Sequence, residues 1–220
     1  VRVPARLLHR VPETVSFEDA AMAEPCAVAA HAVLELSRIK PGDTVVVFGS
    51  GPIGLLCYQM ARLCSPRWAA LVALSTDGAR LQMAESVGVA PILFADRDDL
   101  EGWVRRHTDG YGADVVIDAV GTSAVLEPCL RVVRPDGQIT KVGWGPEPLG
   151  FSLDPLVGKQ VRLQGSFSHT WATWERVLQL MASQHLRLAP MRRVFPLSQW
   201  REAFHAMQER RTVKSMLIPD

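Results

Sequence analysis

The sequence predicts an α/β protein, a doubly wound parallel sheet of six strands with helices on both faces, and three observations lead to it. A β-branched run at 44–48 (TVVVF) passes through a glycine turn straight into an apolar, helix-like segment at 52–62. Nearly continuous Val/Ile/Leu runs recur at 69–74, 91–95, 113–120, 138–143 and 161–167, the pattern of strands buried on both faces. Helix-like segments separate these runs, and regular alternation of strand and helix builds a parallel sheet through crossovers.

Each element has a local reason. Residues 1–15 carry Pro4 and Pro12 and no helical period, so they read as extended chain and turns. Ser16 caps a short helix whose first turn holds Glu18 and Asp19, acids suited to the helix dipole. That helix is expected to break at Pro25 and resume as an alanine-rich segment, and Lys40-Pro41-Gly42-Asp43 turns the chain into the first strand. After the strand at 69–74, Ser75, Thr76 and Asp77 are expected to supply caps and acids for a helix through Val87, with Gly88 closing it. A helix at 98–107 is expected despite Gly102, and another at 122–133 before the turn Pro135-Asp136-Gly137. Residues 146–155 read as a loop rich in Gly and Pro. From Thr170 a helix sets Trp171, Trp174, Leu178 and Met181 on one apolar, packing face. The tail reads as a strand (192–197), a helix capped by Ser198 and a final strand (212–219), outside the doubly wound unit.

Composition narrows the function classes. The 220 residues contain 24 Lys and Arg against 23 Asp and Glu, so no electrostatic case exists for nucleic acid or an anionic membrane as partner. No apolar run approaches the about 20 residues that span a bilayer, and the N-terminal residues lack a signal-peptide pattern; a cytoplasmic location is the expectation. Cys26, Cys57, Cys64 and Cys129 show no CxxC spacing, which indicates buried reduced thiols rather than a disulfide framework.

The chemistry centres on Gly49, Ser50, Gly51, Pro52, Ile53 and Gly54. In a turn between strand and helix, Gly49 lets the chain leave the strand sharply, Gly51 leaves room for a pyrophosphate and Gly54 lets helix and sheet approach. The helix then directs its free N–H groups at the phosphates, so the turn predicts a dinucleotide-binding (Rossmann) unit. Ligands of open parallel sheets lie outside the carboxyl ends of the strands, which points to Val120, Gly121 and Thr122, and to Val142, Gly143 and Trp144.

Three strings, VSFEDAAMAEPCAVAAHAV at 15–33, IKPGDTVVVFGSGPIGLLCYQMARL at 39–63 and VFPLSQWREAFHAMQERRTVKSMLIP at 194–219, together resemble the zinc-dependent medium-chain alcohol and polyol dehydrogenases, nearest the sorbitol and threonine dehydrogenase branch. The GSGPIG turn differs from the alanine-rich AAGGVG-like turn of the zinc-free reductases in that superfamily. The resemblance implies the end of a catalytic domain at 1–26, an NAD(P)-binding domain at 27–167, and a segment at 168–220 that returns to the catalytic domain. It further implies that the GroES-like domain carrying the zinc ligands Cys and His lies outside this chain, in keeping with a start at Val1 without an initiator Met. Residues 170–220 are then expected to lose much of their packing partner.

From the resemblance, Glu24 falls where sorbitol-dehydrogenase-like members place an acid at or beside the catalytic zinc, although alone it cannot hold the metal. Cys26 reads as packing, and His31 as a structural histidine. His169 falls near the nicotinamide, with its role open. Counting back from Arg80-Leu81, the acidic slot for the adenine ribose holds Ser75, so NADP rather than NAD is expected, with Ser75, Thr76 and Arg80 around the 2′-phosphate; Asp77 reaching a ribose is the alternative. No complete catalytic set is expected within the chain. The implied reaction is hydride transfer between a secondary alcohol or polyol and NAD(P), with zinc in the complete protein and a homodimer or tetramer formed through the sheet edge at 161–166. The rival readings are a non-catalytic dinucleotide-binding and dimerisation module and a zinc-free reductase.

Overall fold

The computed structural model describes residues 2–220; Val1, where the expected extended segment opens, lies outside them. Six parallel strands form one sheet: β1 (Thr44–Phe48), β2 (Trp68–Ala73), β3 (Ile92–Phe94), β4 (Ala113–Asp118), β5 (Val133–Lys141) and β6 (Arg162–Gly165). Their order is β3-β2-β1-β4-β5-β6, so the sequence of strands reverses between β1 and β4. Phe48 at the end of β1 is level with Val72 of β2 and Asp118 of β4, and the crevice of such a reversal opens just beyond these residues. A separate parallel pair, β7 (Arg192–Pro196) and β8 (Lys214–Ile218), lies outside the main sheet, as the tail's sequence predicts.

Helices α1 (Phe17–Ala20), α2 (Ala23–Ala30), α3 (Pro52–Leu63) and α4 (Ala79–Ser86) come before α5 (Leu100–His107), α6 (Ser123–Val132), α7 (Asp154–Gly158), α8 (Trp171–Ala182) and α9 (Trp200–Gln208). The central helix α3 buries Leu55, Leu56 and Met60 completely, each side chain contributing about 1.5–3 kcal/mol against exposure. With α2 and α8 it covers one face of the sheet, through a core that includes Ala27, Val47, Leu71 and Leu178. The other face is closed by Leu126, Cys129 and Leu130 of α6 against Val46, Val116 and Ile139. The central strands β1 and β2 are buried almost throughout, as their continuous apolar runs predict, whereas the run at 161–167 forms the edge strand β6, which is largely exposed.

Several boundaries differ from the sequence reading. Ser16 does cap α1, its Oγ accepting from Asp19 N at 3.1 Å, but the break falls at Ala21–Met22 and Pro25 sits inside the first turn of α2. A first-turn proline forfeits no intrahelical bond, which is why Pro25 does not stop the helix. The alanine-rich segment ends in a wider π-helical stretch, His31–Leu36, where His31 Nδ1 lies 2.9 Å from Glu35 Oε2, the structural role expected of it. Helix α4 starts at Ala79 after Gly78, so Ser75, Thr76 and Asp77 form a turn and do not cap it. Ser198 does not cap α9 either; its Oγ and N–H donate to the Asp220 carboxylate, and α9 opens two residues later. The expected loop at 146–155 holds through Leu153, and its last two residues open the short helix α7.

The C-terminal segment keeps more packing than expected. Val177, Leu178 and Met181 of α8, with Met191, Val213 and Met216, join the main core. Trp171 departs from the packing face assigned to it and is half exposed, as are Leu197 and Trp200, and Phe204 is 64% exposed.

Candidate dinucleotide site

The glycine turn between β1 and α3 has the geometry its sequence predicts. Gly49 has φ +117°, a conformation L side chains rarely adopt. A Cβ on Gly54 would sit 1.9 Å from the Gly49 carbonyl oxygen, so the helix start and strand end touch through bare backbone. A Cβ on Gly51 would meet nothing within 4 Å. Gly51 is therefore the open side of the turn, where a phosphate can approach the first N–H groups of α3. Pro52 opens that helix, a position at which a missing N–H costs nothing. The backbone thus fits a dinucleotide pyrophosphate.

The Ser50 side chain is buried and donates to Asp77 Oδ2 at 2.5 Å, so its hydroxyl is engaged within the protein and leaves its backbone as the group a coenzyme could meet. Asp77, 7% exposed, also accepts from Leu74 N at 3.2 Å and from Arg210 Nη1 at 3.0 Å. It locks the turn after β2 to the glycine turn and to the α9–β8 connection.

Ser75 and Thr76 lie just past β2, at the end of the crevice where the adenine ribose is expected. Ser75 is engaged by Asp96: its N–H donates to Oδ1 at 2.8 Å and its Oγ to Oδ2 at 2.5 Å. These two hydrogen bonds, the side-chain one foremost, hold the Asp96 carboxyl below the usual aspartate range. Arg80 in α4 has a buried Nε without a hydrogen-bond partner, and burial first, then the Arg210 charge, push its pKa down.

At the other end a cleft of about 510 Å³ is lined by Glu24, Ile53, Val120, Val142, Gly143, Trp144 and Ser166, among others. The structure thus brings the metal-side candidate Glu24 to the predicted strand-end residues and to the first turn of α3. Gly121 and Gly143 touch: a Cβ on Gly121 would lie 2.2 Å from the Gly143 carbonyl carbon. Asp118, wholly buried at the end of β4, accepts from Val120 N at 3.0 Å and Gly121 N at 2.7 Å. Lys141 Nζ donates to the carbonyls of Gly121 and Gly143 at 2.7 Å each and lies 3.6 Å from Asp118 Oδ2. Burial raises the Asp118 pKa in spite of these partners. Thr122 precedes α6 without a side-chain cap bond and is exposed.

Sequence reasoning did not single out Asp96, Asp118, Lys141, Ser166 or Arg210. Ser166 Oγ is buried, without a hydrogen-bond partner, in a residue lining the cleft. The signal for Asp118 and Ser166 was their place at strand ends; the pairing of Asp96 with Ser75 and of Arg210 with Asp77 had none. His169 lies apart from this cleft, its ring 4.8 Å from that of Trp174 in a cavity with Leu7 and Val11.

A bound zinc does not fit the residues of this chain. Among the described residues no group of three or more His, Cys, Asp or Glu is placed to hold a metal. Glu24 stands exposed, while nearby Cys26 is wholly buried with its thiol pKa pushed up by burial.

Comparison with known proteins agrees with the geometry. The family described as zinc-binding dehydrogenase matches residues 52–183. Sorbitol dehydrogenase of Halalkalibacterium halodurans is 34% identical over 214 residues, covering 96% of this chain and 62% of that protein. The crystal structure of 2R,3R-butanediol dehydrogenase from Bacillus subtilis superposes with TM-score 0.89 at 28% identity, over 99% of this chain and 62% of that one. A Sinorhizobium meliloti 1021 protein solved bound to NADP gives TM-score 0.83 at 25% identity, over 99% and 64% of the two chains. The chain therefore spans about 62% of the length of the sorbitol dehydrogenase it matches.

Proposed function

The chain belongs to the zinc-binding dehydrogenase family, and on that premise we propose that it is the coenzyme-binding portion of an oxidoreductase that moves hydride between a secondary alcohol or polyol and NAD(P). The observation that carries the proposal is the open backbone at Gly51, two residues before Ile53, which itself lines the cleft shared by Glu24, Gly143 and Ser166. A nicotinamide dinucleotide accepts or donates hydride at its ring. The residues of this chain bind and orient it: Gly49, Gly51, Pro52, Ile53 and Gly54 receive the pyrophosphate, and Ser75, Thr76 and Arg80 adjoin the adenine ribose. Val120, Gly121, Thr122, Val142, Gly143 and Trp144 border the nicotinamide, whose carboxamide is a partner for the unpaired Ser166 hydroxyl.

In this reading residues 1–26 and 168–220 flank a coenzyme domain at 27–167, and a catalytic domain of the parent protein supplies the zinc ligands and the substrate pocket. Glu24, exposed and lining the cleft, is the carboxylate of this chain that would stand at or beside that metal. Sorbitol dehydrogenase and 2R,3R-butanediol dehydrogenase among the similar proteins support a polyol or secondary alcohol as substrate. A homodimer or tetramer would form through β6, an edge strand of the main sheet with Leu163 partly exposed. The same edge favours the second reading, a dinucleotide-binding assembly module without catalysis.

Calorimetric titration of the 220-residue chain with NADH and NADPH tests the coenzyme role. Saturable binding of one of them is expected, and no binding of either up to about 1 mM, roughly 4 kcal/mol of affinity, would refute it. Sedimentation velocity reads the assembly: a monomer at every concentration rules out the β6 dimer.

A further inference from the structure

The end of β2 is where a dinucleotide-binding sheet meets the adenine ribose, and a carboxylate there accepts from the ribose hydroxyls. In this chain β2 supplies Ser75, which has no charge. Taken alone, that hydroxyl predicts tolerance of a 2′-phosphate. Its surroundings reverse the prediction.

Strands β2 and β3 are paired in parallel and end level, Ala73 opposite Phe94, and the ladder runs one bond further through Ala95 N to Ala73 O at 2.8 Å. The residue that follows, Asp96, is thereby delivered beside Ser75. Both its oxygens are held, Oδ1 by Ser75 N–H and Oδ2 by Ser75 Oγ. An ionised carboxylate has about four acceptor positions, so lone pairs remain on both oxygens, and Asp96 is exposed. They match two hydroxyl donors of a ribose. A 2′-phosphate offers acceptors in their place and brings about −1.5 to −2 of charge, which a fixed carboxylate opposes.

Of the nearby cations, Arg97 adds its charge beside Asp96 but lies over the Phe94 ring at 4.0 Å and leans to Asp98 at 3.8 Å. Arg210 is tied to Asp77 at 3.0 Å, and Arg80 adjoins the site with its Nε buried and unpaired, so the sign of the balance at the ribose turns on whether the Asp96 carboxylate is present. We infer that Asp96, reaching across from β3, supplies the ribose-binding carboxylate that β2 lacks, and that this site selects NAD over NADP. The inference rests on the dinucleotide-binding reading above.

Titration calorimetry of the full chain with NADH and with NADPH, on the parent, Asp96→Asn and Ser75→Ala, tests it. The parent should bind NADH at least about tenfold more tightly than NADPH, about 1.4 kcal/mol. Asp96→Asn keeps the side-chain shape and one acceptor oxygen but removes the charge, and the preference should fall to about threefold or less. Ser75→Ala keeps the carboxylate and should go on rejecting NADPH. Matching melting curves identify a variant that has kept its fold. Equal or tighter binding of NADPH by the parent overturns the assignment, as does an unchanged ratio in Asp96→Asn or loss of discrimination in Ser75→Ala alone. Failure of the parent to bind either dinucleotide overturns the coenzyme reading itself, and the assignment with it.

Discussion

Two alanine substitutions three residues apart should fail in opposite ways. In Gly54→Ala the new Cβ would lie 1.9 Å from the Gly49 carbonyl oxygen and 2.8 Å from its carbon, backbone atoms that cannot rotate aside. Relief requires α3 to move off β1, and overpacking against backbone costs about 3 kcal/mol. For a domain of this size that lowers Tm by about 6–12 °C. In Gly51→Ala the Cβ meets nothing within 4 Å and the backbone, at φ −73°, suits alanine. The entropy gained from a stiffer unfolded chain offsets the weaker N-cap, leaving stability within about 0.5 kcal/mol. The methyl group instead fills the space left for the pyrophosphate, and NADH affinity should fall by about tenfold or more. Thermal melts followed by circular dichroism, with calorimetric titration of NADH, separate the two effects. A Gly54→Ala melt within about 2 °C of the parent would refute the close-contact argument, and undiminished NADH binding by Gly51→Ala would refute the placement of the phosphates.

Arg210→Ala removes a cation bonded to the buried Asp77 carboxylate, leaving Ser50 and Leu74 N as its partners; a loss of about 1–2 kcal/mol is expected, and an unchanged denaturation midpoint would show the tie to be idle. Asp118 has its folded-state pKa raised by burial, so between the ordinary aspartate value and that raised value the native state holds more proton than the unfolded one. Its contribution to stability therefore declines as pH rises through that window. Asp118→Asn should flatten this part of a stability-against-pH curve measured by urea unfolding, and a slope identical to the parent's would contradict it. Incubated with NAD, zinc and a range of polyols, the 220-residue chain should produce no NADH above background at 340 nm; robust turnover would show that it carries a complete catalytic set.

Local sequence determined a good deal of this molecule. Continuous apolar runs mark strands buried on both faces because a polar side chain there is costly unless it finds a partner, and glycines at 49 and 54 mark a backbone contact that no Cβ permits. Those signals lie within a few residues of the features they specify, so the six strands, the glycine turn and the strand-end residues were legible from the chain alone. Boundaries set by competition were not. Pro25 reads as a breaker until its place in the first turn of α2 is known, and Ser198 reads as a cap until Asp220 claims its hydroxyl. The electrostatics of the crevice depended still more on tertiary structure. Ser75 meets Asp96, and Asp77 meets Ser50 and Arg210, across separations of 21, 27 and 133 residues. A charge acts through distance in space, and only the parallel pairing of β2 with β3 and the return of the tail brought those charges to the site.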